Sequence, residues 1–362
     1  MSIKTAYLKG PFNIEYQEHE LPRSIHPDAL LLEVIQSNVC GSDVHIYSGN
    51  HPARKSGSLG HEMVGRIIMK GENVTTDFAG NPVQLGDRVV PVYYLTCHKC
   101  KRCLKGDYFL CENKTSYKGN ITELPWFEGS TFSTHYYVHP QQYFFKVPDN
   151  VSSIAASSSN CALSQVIFGI NHLEVKKDDF VLIQGAGGLG INACAVVRER
   201  GAKPIVLDTV PERLEQAKRF GASHIINISD LQEKEIKKKL NSITNNNGIN
   251  YCIEVTGAAN AFASGIKLLN RNGTYLVLGT LSDIKVAISP GEIIRKSLNI
   301  IAFNHYDPRC LYQALNFIKR NNNYYNFEEL ISDFFDFPNL EEAIDKSYKK
   351  EVTRAAIVFN QK

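Results

Sequence analysis

The sequence predicts an α/β chain of two domains, one made of short strands and one built on a doubly wound parallel sheet. The chain has 362 residues, and domains average roughly 150 residues. Short segments rich in β-branched and aromatic residues, punctuated by Gly and Pro, fill residues 1–150. From about Ser152, apolar strands alternate with helical segments, as in βαβ units. We therefore assign residues 1–150 to a first domain, 151–298 to a second, and 299–362 to a return into the first.

The individual elements follow from the hydrophobic pattern. Strands of the first domain are expected at LLLEVI, MVGRIIMKG, DRVVPVYY and STHYYVHP. The parallel sheet is expected from VLIQGA, PIVLDT, HIINIS, YCIEVTG and TYLVLGT, separated by helical stretches such as PERLEQAKRF. The segment LNIIAFNHY, a helix over Arg309–Asn321 and a closing strand RAAIVFN should complete the first domain. The charged run QEKEIKKKLNS predicts a solvated helix face.

Charge and composition argue against several classes of partner. The chain has 40 Lys+Arg against 37 Asp+Glu, a formal net charge of +3, which supplies no basic field for nucleic acid. Its apolar residues are spread along the chain, which argues against disorder. The first ten residues, MSIKTAYLKG, contain neither an apolar stretch nor a small-residue cleavage site. We expect a cytoplasmic protein that acts on a small molecule, with no nucleic acid and no membrane among its partners.

A glycine-rich segment, GAGGLG at residues 185–190, matches G-x-G-x-x-G between an apolar strand and an apolar helix. Gly185 permits a tight turn, Gly187 lets the backbone approach a pyrophosphate, and Gly190 allows close helix packing. Gly188 and Leu189 complete this cofactor-binding loop, where the helix N-terminus faces the anion. The alternative is a tight strand-to-helix turn without a ligand.

An acid, Asp208, ends the next strand, PIVLD. Its carboxylate can accept hydrogen bonds from both ribose hydroxyls of an adenosine, whereas a 2′-phosphate would meet a like charge. This favours NAD over NADP, and an ordinary acid at a strand end is the alternative. Arg213, five residues on, either reaches the adenosine or lies on a helix surface.

The cysteine pattern predicts a metal site. Nine cysteines, an odd number, argue against a disulfide framework in a reducing compartment. Four of them lie within fifteen residues: Cys97, Cys100, Cys103 and Cys111. Four thiolates can bind one Zn²⁺ and leave no position for substrate, which indicates a structural site. An iron–sulfur cluster is the alternative, but no Pro follows the last cysteine and no redox partner domain is evident. His98, between the ligands, is expected at the surface.

Further metal-ligating residue types are dispersed along the chain. They occur in Cys40-Gly-Ser42-Asp43-Val-His45, in Gly60-His61-Glu62, and at Cys161 in SSSNCALSQV. Taken singly, a lone Cys is usually a small core residue, and a lone His is usually solvated or hydrogen-bonded. Their order and local sequence favour a shared function.

These motifs resemble those of the zinc-containing medium-chain dehydrogenase/reductase family, which includes the alcohol and polyol dehydrogenases. C-G-S-D-x-H, G-H-E-x-x-G, the four cysteines, N-C-A-L and G-A-G-G-L-G occur in family order over essentially the full length. The resemblance implies a catalytic domain with a GroES-like β-barrel, a Rossmann domain, and an active site in the cleft between them. It also implies that Cys40, His61 and Cys161 are ligands of a catalytic zinc. Glu62 then matches an acid beside the metal that either supports the ligands from behind or exchanges as fourth ligand. Asp43 matches a residue that orients the ligating histidine.

The same resemblance assigns further residues near the substrate. Ser42 and His45 match a relay that carries the alcohol proton to solvent. Tyr93 matches a pocket-lining position, or is ordinary core. Two aromatic residues of a long loop either shape the substrate entry or pack the loop: Trp126 and Phe127. Two cations close in sequence to His61 can line a phosphate pocket, although a solvated loop is favoured: Arg54 and Lys55.

Together these residues predict an oxidoreductase that uses NAD and two Zn²⁺ per chain, one catalytic and one structural, to oxidise a primary or secondary alcohol or to catalyse the reverse reduction. A small alcohol, a polyol, a cyclitol or sugar-derived alcohol, and a phosphorylated alcohol all remain open as substrates. The polyol branch commonly has Glu where this chain has Cys161, which favours alcohol-type coordination.

The alternative is a non-catalytic NAD- and zinc-binding protein of the same fold. A homodimer or homotetramer is expected, through an edge strand such as IKVAIS.

Overall fold

A computed structural model describes residues 2–51, 54–114, 130–279 and 285–359. The strands are β1 (Ser2–Gly10), β2 (Asn13–Glu20), β3 (Leu30–Asn38), β4 (Gly57–Ser58), β5 (Glu62–Lys70), β6 (Arg88–Pro91), β7 (His135–Val138), β8 (Phe144–Lys146), β9 (Phe180–Gln184), β10 (Lys203–Asp208), β11 (His224–Asn227), β12 (Ile249–Glu254), β13 (Leu269–Val277), β14 (Asn299–Ala302), β15 (Asp333–Asp336) and β16 (Ala355–Val358). The α-helices are α1 (Gly41–Tyr47), α2 (Lys101–Leu104), α3 (Ser153–Ala156), α4 (Ser164–Asn171), α5 (Gly188–Glu199), α6 (Pro211–Arg219), α7 (Glu233–Ile243), α8 (Ala259–Leu268), α9 (Pro290–Lys296), α10 (Arg309–Asn321) and α11 (Leu340–Tyr348). Short 3₁₀ turns occur at Tyr108–Leu110, Phe327–Leu330 and Phe337–Asn339, and a π-helix at Ser159–Leu163.

The chain forms two compact units. The first comprises Met1–Ser164 and Asp307–Lys362, and the second comprises Gln165–Tyr306. The predicted boundaries at 150 and 298 are therefore both too early. Residues 151–164 stay with the first unit because the π-helix packs against β5 and β6. Strand β14 stays with the second unit because it pairs in parallel with β13.

The first unit is built mainly from antiparallel strands. Its larger sheet has the order β15-β16-β3-β5-β6-β8, with β7 also paired to β3. A smaller sheet has the order β2-β1-β4. Alternating side chains of β3, namely Leu30, Leu32 and Val34, pack with Met63 and Ile67 of β5 in a solvent-free core. Leu31, on the opposite face of β3, packs in a second core with Ile3 and Tyr137, so both faces of this strand are covered.

The second unit has a six-stranded parallel sheet in the order β11-β10-β9-β12-β13-β14. The strand order reverses on either side of β9, as in a doubly wound fold, which confirms the predicted fold class. The core is formed by side chains that include Leu182, Ile205, Leu207 and Tyr275, all nearly inaccessible to solvent. Among the described residues, no helix combines the length and the apolar character that a membrane span requires.

The expected edge strand IKVAIS is not formed over its described residues. Within the part of the chain that the structure describes, residues 285–289 pair with no strand and lead directly into α9, which has Pro290 at its first position. A proline at the first turn favours helix initiation and supplies no N–H for a ladder. The edge of the parallel sheet on this side is β14 instead.

Candidate active site

The register of three strands brings distant residues to one end of the first unit. Asn38, the last residue of β3, pairs with Glu62, the first residue of β5, and β16 also pairs with β3 at Asn38. Cys40 follows β3 by two residues and His61 directly precedes β5. Arg354 directly precedes β16. All three flanking residues consequently meet beside the same strand ends.

Four predicted metal ligands converge here, and we call them the Cys40 cluster: Cys40, His61, Glu62 and Cys161. Their ligand atoms all lie within 4.8 Å of one another. The Sγ atoms of Cys40 and Cys161 are 3.9 Å apart, far longer than a disulfide bond of about 2.05 Å. Ligands of a tetrahedral zinc, at about 2.3 Å from the metal, stand about 3.8 Å from one another. The sulfur spacing fits a shared metal ion.

Asp43 holds the histidine of this cluster in place. Its carboxylate accepts hydrogen bonds from the backbone N–H of Cys40 at 2.9 Å and of Gly60 at 3.2 Å. The His61 Nδ1 lies 3.3 Å from the same carboxylate, which leaves Nε2 available as the ligand atom. The Tyr93 ring packs edge-on against the imidazole, with centroids 5.3 Å apart. The predicted orienting contact of Asp43 is present in the structure.

Glu62 is fully buried and has a partner that sequence reasoning missed. Its Oε2 accepts hydrogen bonds from the Arg354 guanidinium and from Asn38 Nδ2, whereas its Oε1 has no hydrogen-bond partner. A buried carboxylate oxygen without a partner beside two thiols and an imidazole fits a cation at this point. Burial raises the pKa of Glu62 to about 7, although Arg354 opposes that shift. The only sequence signal for Arg354 was a basic residue at the start of RAAIVFN.

The ionisable groups of the cluster shift one another's pKa values. The pKa of Cys40 lies well below its usual value because Cys161 hydrogen-bonds to its thiolate and His61 adds positive charge, against the effect of burial. The pKa of Cys161 is raised well above its usual value by that hydrogen bond and by burial. Burial works to lower the pKa of His61, but Asp43 and Cys40 raise it well above its usual value. A cation that binds both thiols and the imidazole displaces the protons that Cys161 and His61 carry.

Cys161 lies in the π-helix, whose wide turn is supported by serine side chains. The Ser164 hydroxyl donates to the carbonyl oxygen of Ser159 at 2.6 Å, five residues back. The Ser159 hydroxyl donates to the carbonyl oxygen of Ala156 at 2.7 Å. Serines on both sides of N-C-A-L therefore satisfy carbonyls that a wide turn leaves open.

Cys97, Cys100, Cys103 and Cys111 form a second cluster, which we call the cysteine lobe, and their sulfurs also lie within 4.8 Å of one another. The Sγ of Cys97 is 3.6 Å from that of Cys111 and 4.0 Å from that of Cys103. Burial works to raise the pKa of Cys97, but N–H donors lower it to about 6, whereas burial and neighbouring thiols raise that of Cys103 to about 12. The sulfur spacing fits a cation here as well.

The expectation that His98 lies at the surface is wrong. His98 is half-buried, and its Nε2 lies 3.0 Å from Thr96 Oγ1 and 3.2 Å from the carbonyl oxygen of Gln141. Its ring packs against Tyr143 and Tyr108, with centroid distances of 5.4 Å and 5.8 Å. The residue between two lobe cysteines thus attaches the lobe to the rest of the first unit.

The glycine loop in the second unit has the geometry predicted for a dinucleotide. Gly185 has a φ of +104°, and a Cβ at Gly190 would lie 1.9 Å from the Gly185 carbonyl oxygen, so both positions require glycine. A Cβ at Gly187 would meet nothing within 4 Å, so open space lies beside this backbone. Gly188 begins α5, and Leu189 follows in its first turn. The loop fits a pyrophosphate at the start of a twelve-residue helix.

Asp208 lies beside that loop, at the end of β10. Its carboxylate accepts hydrogen bonds from the backbone N–H of Ala186 at 2.6 Å, Thr209 at 2.7 Å and Val210 at 2.9 Å. A carboxylate has about four acceptor positions, so a contact to both ribose hydroxyls requires one of these bonds to open. Arg213 is half-buried on α6.

The remaining predicted residues differ in how the structure supports them. Ser42 and His45 lie three residues apart on α1, hence on one helix face, with Ser42 half-buried and His45 exposed. Arg54 and Lys55 donate to the carbonyl oxygens of Ser58 and Gly49, which supports the loop interpretation over a phosphate pocket. Two predicted loop residues lie outside the described residues: Trp126 and Phe127.

Comparisons with known proteins agree with this geometry. An alcohol dehydrogenase GroES-like domain matches residues 26–149, and a zinc-binding dehydrogenase domain matches residues 188–320. The chain is 32% identical to 5-exo-hydroxycamphor dehydrogenase of Pseudomonas putida over 88% of each chain, and 28% identical to a sorbitol dehydrogenase of Halalkalibacterium halodurans over 87% of each. An alcohol dehydrogenase of Thermotoga maritima shares the fold with a TM-score of 0.90, at 24% identity, over 99% of this chain and 100% of that one. The chain therefore belongs to the zinc-containing medium-chain dehydrogenase/reductase family and is an alcohol-type dehydrogenase.

Proposed function

We propose that this protein transfers a hydride between NAD(H) and a primary or secondary alcohol, with one zinc at the Cys40 cluster and a second in the cysteine lobe. The observation that carries the proposal is the convergence of two thiols, one imidazole and a carboxylate oxygen that lacks a partner. Three protein ligands of this kind are typical of a catalytic zinc with an open position, whereas four thiolates are typical of a structural zinc. The free cysteines fit a reducing compartment, and we assign the protein to the cytoplasm.

The two bound groups supply the chemistry and the protein supplies the geometry. Zinc at the Cys40 cluster supplies a Lewis acid that stabilises negative charge developing on an alcohol oxygen. NAD supplies the hydride acceptor, with its pyrophosphate at the glycine loop. Asp43 fixes the imidazole of His61, and Arg354 holds one oxygen of Glu62 so that the other stays directed at the cluster. These contacts organise the ligands before substrate binds.

The alcohol proton needs a route to solvent. We assign this route to α1, where Ser42 is half-buried and His45, on the same helix face, is exposed. Ser42 accepts the hydroxyl proton as its own proton moves outward, and the His45 imidazole exchanges the proton with solvent.

Replacing His45 with Gln should slow alcohol oxidation about tenfold, and small external bases should restore part of the rate. Zinc content should not change, because His45 is not a ligand. Ser42→Ala should lower the rate of alcohol oxidation further, since no buffer replaces a half-buried hydroxyl. The measurement is steady-state oxidation with increasing concentrations of small amine buffers. His51→Gln is the matched control, because His51 follows α1 and its Nδ1 accepts from the backbone N–H of Arg54. A His45→Gln enzyme with an unchanged rate, while hydride transfer or proton release limits turnover, contradicts the relay.

Cofactor choice should depend on the charge of Asp208. Asp208→Ser combined with Thr209→Arg should raise the NADP:NAD ratio of kcat/KM by about 10- to 100-fold, because it removes a repulsive charge and adds a phosphate partner. Asp208→Asn is the control, since it removes the negative charge without adding a cation. It should raise the NADP:NAD ratio of kcat/KM by a smaller factor. An unmodified protein that already uses NADP better than NAD would refute this role of Asp208.

A non-catalytic protein that binds zinc and NAD is the second candidate. Ser42 and His45 on one helix face beside Cys40 count against it, because a binding role needs neither residue. The two functions are separated by measuring NADH formation at 340 nm with small alcohols, polyols, cyclitols and phosphorylated alcohols. Turnover of any of these supports the enzyme and begins to define its substrate class. A zinc-replete, NAD-binding protein that turns over none of them supports the second candidate.

We further propose that the protein forms homodimers or homotetramers through β14. This strand forms an edge of the parallel sheet and exposes Ile300, and the neighbouring helix α9 leaves Ile294 76% exposed. An apolar sheet edge favours pairing, and two copies of one strand related by a two-fold axis pair in an antiparallel manner.

A further inference from the structure

Asn160 is a fully buried carboxamide that no step of the proposed chemistry uses. It directly precedes Cys161 within the π-helix. Its Nδ2 donates to the carbonyl oxygen of His61 at 2.9 Å and to that of Pro91 at 3.0 Å. Both amide hydrogens are thus donated to backbone carbonyls, one to the residue before β5 and one to the last residue of β6.

We propose that Asn160 is a positioning residue for the metal at the Cys40 cluster, an inference that rests on the proposed function. Cys161 and His61 are separated by about a hundred residues of chain, and no regular sheet or helix joins their backbones. The Asn160 side chain supplies the direct connection, because it hydrogen-bonds to the backbone of one ligand from the residue beside the other. It therefore holds the Cys161 thiol within reach of Cys40 and His61.

The π-helix makes this connection necessary. π-helical turns are rare and often occur at functional sites, which indicates that they need support from their surroundings. Here the supporting contacts are made by Ser159 and Ser164 at the two ends of the turn and by Asn160 to the neighbouring strands. Without the Asn160 amide, the carbonyls of His61 and Pro91 lose their donor and the turn loses its attachment beside the metal ligands.

The test compares metal release from two sites in one chain. Protein loaded with Co²⁺ is mixed with a chromogenic chelator, and the Cys40 cluster should release metal in a fast phase and the cysteine lobe in a slow phase. Asn160→Asp keeps the side-chain size but removes both donors. We expect the fast phase to accelerate about 10- to 100-fold, as for other residues that orient metal ligands, with the slow phase unchanged. The cobalt d–d and thiolate charge-transfer bands of the cluster should shift as well.

Asn321→Asp is the matched control, because Asn321 is a buried asparagine of α10 whose Nδ2 donates to the Phe317 carbonyl oxygen at 3.0 Å. Neither phase should change in this variant. If Asn160→Asp does not fold, Asn160→Ser, which keeps one donor, should show a smaller acceleration of the fast phase alone. Unchanged release and spectrum, or equal acceleration of both phases, overturns the positioning role. A wild-type protein that binds cobalt only in the cysteine lobe overturns the proposed catalytic metal, and the inference with it.

Discussion

Replacing Cys40 with Ser is expected to abolish alcohol oxidation while the fold persists. Cys40 is the N-cap of α1, and serine is a favourable N-cap, so the helix should keep its starting point. A neutral hydroxyl is nevertheless a much poorer zinc ligand than a thiolate. Loss of a Lewis acid worth several kcal/mol corresponds to a fall in kcat of at least about a thousandfold.

Three measurements check this expectation. Elemental analysis should find one zinc per chain instead of two, kcat at saturating alcohol should collapse, and thermal unfolding should be close to that of the unmodified protein. Cys310→Ser is the control, because Cys310 is a buried thiol of α10 outside both clusters and should keep both metals and activity. A Cys40→Ser protein that retains two zinc ions or normal turnover contradicts the assignment of Cys40 as a ligand.

Replacing Cys111 with Ser is expected to give the opposite pattern, a large loss of stability. The four cysteines of the lobe pack against one another, and three of them are buried. Metal binding at such a site contributes directly to the free energy of folding. A loss of even about 3 kcal/mol lowers Tm by roughly 6–12 °C for a domain of 150–250 residues. The remaining folded protein should keep the zinc of the Cys40 cluster and most of its kcat.

The stability experiment uses circular dichroism melting at equal zinc supply, with metal content measured on the same samples. Cys310→Ser again controls for the removal of a buried thiol. Chelator treatment of the unmodified protein should lower Tm toward that of Cys111→Ser. Iron in place of zinc would support the iron–sulfur alternative for the lobe. A single zinc per chain in carefully prepared unmodified protein would contradict the two-site proposal.

The sequence alone determined the features that depend on short stretches of chain. Short runs of apolar, β-branched and aromatic residues predicted the strands, and the helix over Arg309–Asn321 agrees with the structure at both ends. The cysteine lobe was predicted because its four ligands lie within fifteen residues, where spacing restricts the possible geometry. The glycine loop was predicted for a similar reason, since its three motif glycines lie within six residues between an apolar strand and an apolar helix.

Only the tertiary structure decided the contacts that join distant segments. Arg354 and Glu62 are 292 positions apart, and they meet because β16 and β5 flank β3 in one register. Asn160 was part of a quoted motif, yet its contact with the His61 carbonyl depends on the π-helix packing beside β5. The unit boundaries also followed from strand pairing, since β14 joins the parallel sheet although the sequence pattern predicted a return to the first domain at residue 299. Strand register and packing are set by hydrogen bonds and burial across the whole unit, and neither is encoded in the spacing of neighbouring residues.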